Sequence, residues 1–131
     1  MLKIWGIILL IGMTTACANT GEPAYDAAAG YKPSAVNEQF VVPLLTEQEP
    51  FTFSNPNILK GSTYKLKGIG GEQGLYPPLA YFEELSRLGW VELEDKRLGH
   101  AHFFIKNHTV ISVIVKEDFI QVYELKKDAK Y

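Results

Sequence analysis

Between Pro77 and Leu125 the spacing of apolar side chains changes once, and that change sets out a helix followed by strands. Tyr81, Phe82, Leu85 and Leu88 fall along one face of an α-helix, with Glu83 and Arg87 four residues apart on the wet side. Pro77 and Pro78 suit the first helical positions, where a missing N–H forfeits no partner. Gly89 suits a left-handed C-terminal cap, with Trp90 folding back on the last turn. Beyond Gly89 the apolar period falls from about 3.6 to about 2, which predicts strands over 90–95, 100–106, 109–116 and 119–125. The links Lys96–Gly99, Asn107-His108 and Glu117-Asp118 are short enough for antiparallel hairpins. The expected fold class is α+β, with one helix packed on a four-stranded antiparallel β-meander and an extended N-terminal arm.

Counting back from each turn assigns the side chains to faces. Val91, Leu93, His102, Phe104, Ile111, Val113, Val115, Ile120 and Val122 fall on one nearly apolar face, where the helix is expected to pack. The other face collects Trp90, Glu92, Glu94, Ala101, Phe103, Ile105, Val110, Ser112, Ile114, Gln121, Tyr123 and Leu125. Its apolar share calls for a cover, and a slip of one residue would exchange the faces of a strand.

Upstream of the helix the pattern is broken. Residues 39–76 form the arm, in which Gln39 to Leu45 and Phe51 to Phe53 are apolar pieces interrupted by Pro43 and Pro50, so central strands are not expected there. Ser62 to Lys67 alternates apolar and basic residues and predicts an edge strand. The arm is expected on the outer sheet face, giving Phe40, Val42, Phe51 and Phe53 a place to pack. Residues 17–38 lack a sustained period and read as a flexible tether, of about 21 residues and a typical reach of about 25 Å. Residues 126–131 read as a polar tail.

Residues 1–16 read as a signal peptide. A basic start at Lys3 precedes an apolar run from Ile4 to Met13, which is too short for a membrane span of about 20 residues. Thr15-Ala16-Cys17 at its end resembles the lipobox of bacterial lipoproteins, although Thr14 stands where those signals commonly carry an aliphatic residue. The resemblance implies that Cys17 is acylated, with chains such as palmitate, and becomes the new N-terminus. Cys17 is the single cysteine, so no disulfide competes for its thiol. Ala18, in place of an aspartate, implies by the same resemblance sorting to the outer membrane, facing the periplasm. In a one-membrane bacterium the protein would instead lie on the outer face of the cell membrane.

At 131 residues and 47% hydrophobic, the chain has the size of one small domain with appendages. A net charge of -2 leaves no basic footprint for nucleic acid. Gly68, Gly70, Gly71 and Gly74 lie where a phosphate loop would precede a helix, but Gln73 breaks the G-x-G-x-x-G spacing, and a flexible connector is expected. His100 and His102 alternate on one strand and are the candidate metal ligands; a third is missing, and a hydrogen-bonded core histidine is the expected role of His102. Glu92 and Glu94 share a face as paired carboxylates do in glycosidases, yet solvated acidic neighbours are the commoner case. No serine sits in a nucleophile setting, and Asn107-His108-Thr109 matches a glycosylation sequon within a tight turn.

These observations point to a lipid-anchored envelope protein, with no enzymatic activity and no cofactor, whose domain binds another macromolecule, expected to be a protein of the envelope. Trp90, Phe103, Ile105 and Tyr123 are the expected contact residues, since desolvated aromatics dominate binding. The alternatives are a carrier or sensor of a small apolar ligand, and an immunity or inhibitor lipoprotein.

Overall fold

The computed structural model describes residues 23–131, so the signal, Cys17 and the start of the expected tether lie outside the described residues. The chain is α+β. Strands β1 (Tyr31–Pro33), β2 (Val41–Pro43), β3 (Glu47–Pro50) and β4 (Ile58–Lys65) precede helix α1 (Leu79–Arg87). Strands β5 (Val91–Glu92), β6 (Ala101–Lys106), β7 (Thr109–Val115) and β8 (Phe119–Leu125) follow it. The main sheet has six strands rather than four, in the order β3-β4-β8-β7-β6-β5, and β1 and β2 form a separate hairpin. Among the described residues, every pairing between these strands is antiparallel. Ser62 to Lys65, expected at an edge, belong to β4 inside the sheet. The edge is β3, where Pro50 and the charged Glu47 and Glu49 discourage further pairing. Among the described residues, no helix is long and apolar enough to cross a membrane.

Local signals bound the helix. Pro78 caps it from outside rather than entering it, and its carbonyl accepts from the Phe82 N–H at 3.0 Å. At the other end Gly89 adopts φ 99, its N–H donates to Ser86 O, and the Trp90 N–H donates to Leu85 O. This pair of bonds is the Schellman closure expected of a glycine there. Arg87 pairs with Glu84, not Glu83, through two contacts of 2.8 and 2.6 Å. Tyr81, Phe82 and Leu85 are buried. The Tyr81 hydroxyl donates to the Val41 carbonyl at 2.7 Å, tying β2 to the helix, and burial pushes its phenol well above the ordinary value of 10.

His102, Phe104, Ile111, Val113, Val115, Ile120 and Val122 are buried and lie on the helix side of the sheet, the face assigned to them. Strand β5 is the exception. Glu92 stands opposite Phe104 and Val91 opposite Ile105, so the two faces of β5 are exchanged relative to the expectation. The cause is the connection to β6. Instead of a tight hairpin at Lys96–Gly99, the chain makes a 3₁₀ turn at Glu94–Lys96 and a second turn before Ala101, and this longer path alters the parity. Glu94 therefore sits in that turn and not beside Glu92 on a strand. Trp90 is carried into the helix-side core, only 2% exposed.

The arm divides between the two faces. Val36, Phe40 and Val42 enter the helix-side core, so Phe40 and Val42 do not cover the outer face. Residues 23–38, expected as tether, are folded: the Tyr25 N–H donates to Lys67 O at 2.8 Å, Asp26 caps a 3₁₀ turn at Ala27–Ala29, and β1 pairs with β2. The glycine-rich stretch is also held. Gly68, Gly70 and Gln73 donate their N–H groups to Asp118 Oδ1, Glu117 O and Glu117 Oε1 at 2.8, 3.0 and 2.9 Å.

Candidate functional site: the outer sheet face

Strands β6, β7 and β8 bring Phe103, Ser112 and Tyr123 into one row across the sheet. Alternation turns all three away from the helix. Phe103 and Tyr123 belong to a second apolar cluster, in which Ile58, Phe103 and Leu125 are buried and Phe51, Val110, Tyr123 and Ala129 pack around them. Three of the four expected contact residues, Phe103, Ile105 and Tyr123, thus share this face. Trp90 does not. Its indole meets Phe40 edge-on at 4.9 Å, and its Nε1–H donates to the Gln39 carbonyl at 2.9 Å.

The chain itself roofs part of the row. Phe51 stacks on Tyr123 with ring centroids 6.0 Å apart and planes 11° from parallel, and Phe53 leans on Phe51. Tyr131 stacks on Phe103 at 5.3 Å and leaves it 6% exposed. The tail that carries Tyr131 is tied to Asn57, whose carbonyl accepts from the Lys126 N–H and whose side chain donates to Lys130 O. Residues 126–131 are therefore more than a polar tail. An aromatic closing a run of lysines and an aspartate was the available signal. Between the two stacked pairs the Ser112 hydroxyl is fully buried and finds no hydrogen-bond partner among the described residues. A buried hydroxyl left so costs about 1–3 kcal/mol. Around the β5 edge the row is open, with Ile105 half-buried and its neighbour Val91 exposed.

His100 and His102, the candidate metal ligands, sit elsewhere. His100 lies in the turn before β6, while His102 is buried with its ring edge-on to Phe82. Both line an open cleft of about 390 Å³ with Arg97 and Pro77. Among the described residues no group of three or more His, Cys, Asp or Glu side chains is placed to hold a metal ion. Glu92 organises this corner, because its Oε2 accepts from Arg97 at 2.8 Å and from the Nδ1–H of His102 at 3.1 Å. An ionised carboxylate only accepts, which places the proton on Nδ1. Burial pushes the Glu92 carboxyl up, but the hydrogen bonds and charges of Arg97 and His102 outweigh it and hold the carboxyl below its ordinary 4.5. The stabilisation this gives is fully present above that ordinary value and is lost as pH falls through the lower folded-state value. Glu92→Gln is expected to flatten the loss of stability below about pH 4.5, as followed by urea unfolding at stepped pH. The difference should stay under about 1 kcal/mol, since solvent screens a pair this exposed.

Another cleft, of about 270 Å³, runs between the helix and β5 over Phe82, Trp90 and Phe104, and one of about 200 Å³ lies beside Pro23, Leu45 and Lys67. Comparison with protein-family models, with curated proteins and with solved structures finds no match, so the outer face is interpreted from its own geometry.

Proposed function

We propose that this chain is a lipid-anchored envelope protein, acylated on Cys17, whose small domain binds another macromolecule and catalyses no reaction. The observation that supports the binding role is the thin roof on the outer face. Two single aromatic rings, Phe51 and Tyr131, lie over Tyr123 and Phe103, and the hydroxyl of Ser112 between them has no hydrogen-bond partner among the described residues. Each ring sits on a segment held by few bonds, and segments of that kind open at low free energy. A partner bringing an aromatic or aliphatic side chain and one hydrogen-bonding group would replace the rings and satisfy Ser112. Phe103, Ile105 and Tyr123 are its floor. The proposed location is the outer membrane, with the domain in the periplasm and a protein of that compartment as partner.

The test uses the full chain in a bacterial envelope, with a photo-crosslinking side chain at Ile105 or Val91 and, as control, at the exposed Glu83 of the helix. One discrete adduct from Ile105 and Val91, absent at Glu83 and reduced at least five-fold by Ser112→Phe, is the expected result. Equal labelling at all three positions would remove the site. In parallel, Cys17→Ser is expected to move the protein from the membrane fraction to the soluble fraction.

A further inference from the structure

We propose that the Leu44-Leu45 turn is a membrane-docking tip that inserts into the bilayer to which Cys17 is attached. The inference rests on the lipid-anchor reading and concerns a surface separate from the outer sheet face.

If Cys17 carries the acyl chains, residues 18–22 separate it from Pro23, next to Ala24, which bridges to Lys67. Six covalent steps of at most about 3.6 Å span about 22 Å. A domain of this length has a radius of gyration of about 13 Å, hence a diameter of about 34 Å. The link is shorter than the domain is wide. The surface around Pro23 is therefore held closer to the membrane than the far edge of the sheet, where β5 lies.

That surface carries two leucines that are exposed among the described residues. Leu44 and Leu45 are 46% and 42% exposed, and Leu45 lines the same cleft as Pro23, Lys65 and Lys67. The turn is held by hydrogen bonds on both sides of the two leucines. The Leu44 N–H donates to Gly30 O at 3.0 Å, the Thr46 N–H and hydroxyl both donate to Pro43 O, and Lys32 Nζ donates to Thr46 O at 2.9 Å. Insertion limited to the two leucine side chains leaves the backbone of the turn in the hydrated headgroup layer. Charge does not direct the contact, because Lys65 and Lys67 are offset by Glu47 and Asp118 in the same cleft. The occupant is therefore the apolar margin of the bilayer, with no requirement for anionic headgroups.

The experiment uses the acylated full-length protein in phosphatidylcholine vesicles. Acylation occupies the single native thiol, so Leu44→Cys, Leu45→Cys and Leu98→Cys each offer one labelling site; Leu98 lies beside β5, on the far edge of the sheet. A small fluorophore at position 44 or 45 is expected to be quenched by nitroxide lipid at least five-fold more than one at 98, with the reverse order for aqueous iodide. The difference should persist in 0.5 M salt and should vanish for position 45 when Leu44→Asp is added. Equal quenching at 44 and 98 with the acyl mass present on Cys17 would overturn the docking tip and leave the anchor standing. A signal at 44 that scales with protein density on the vesicle would assign the turn to a second copy and overturn the proposal. Absence of the acyl mass would overturn both readings.

Discussion

Trp90→Ala is expected to destabilise the domain by about 3–5 kcal/mol, the range found for removing a large buried aromatic. The indole is among the largest fully buried side chains, wedged against Phe40 and capped by the Gln39 carbonyl that its Nε1–H satisfies. Deleting it opens a cavity between helix, arm and sheet and strands that carbonyl together with it. At about 4–8 °C per kcal/mol for a domain of this size, the melting midpoint should fall by more than about 12 °C. Trp90→Phe retains most of the ring and loses only the N–H bond, so a cost of about 1–3 kcal/mol is expected. Of the two tryptophans, Trp5 falls in the expected signal peptide, which makes Trp90 the fluorescence probe of the processed protein. Urea titration followed by circular dichroism on both variants measures the difference. A loss below about 1 kcal/mol for Trp90→Ala would mean that the indole is not packed in the core, and its role as a contact residue would return.

What could be read from the chain beforehand follows from how far each contact reaches. The helix end was legible because its determinants are adjacent: Gly89 must adopt φ 99, and the bonds from Gly89 and Trp90 close on residues three and five positions back. The inner faces of β6, β7 and β8 were legible because their turns are only two or three residues long, so parity passes from strand to strand. The face of β5 was not, because the 3₁₀ turn at Glu94–Lys96 lengthens its link to β6 and alters the count. Val36, Phe40 and Val42 show no period among prolines, glycines and polar residues. Their burial depends on a hairpin meeting a helix some forty positions away, as in the Tyr81 to Val41 bond, and no local pattern encodes that. The floor of the candidate site, Phe103, Ile105 and Tyr123, came from alternation alone. Its roof did not, since Phe51 and Tyr131 reach it from segments outside β6, β7 and β8.

The glycine-rich stretch before the helix offers the sharpest test of the fold against composition. By composition Gly68 to Gly74 is a loose connector, but in the structure it lies flat on the turn between β7 and β8. At Gly70 both backbone groups are engaged: its N–H donates to Glu117 O at 3.0 Å and its carbonyl accepts from the Tyr76 N–H at 2.8 Å. A Cβ built there would overlap the Lys116 carbonyl oxygen and press on Val115, and neither neighbour is the movable end of a long side chain. Gly70→Ala is therefore expected to cost about 3 kcal/mol, near the upper end for overpacking, because the strand pair or the loop must shift to admit one methyl. Gly68 supplies the control. Its φ of 77 is left-handed, yet nothing lies within 4 Å of a Cβ there, so Gly68→Ala should cost only about 1–2 kcal/mol of backbone strain. Hydrogen exchange at Glu117 and Asp118 separates the two mechanisms, since displacing the loop at Gly70 should expose the turn beneath it, whereas strain at Gly68 should not. Two substitutions of equal and small effect would mean that the loop does not rest on the β7–β8 turn, and that the flexible connector suggested by the glycine content is the better description.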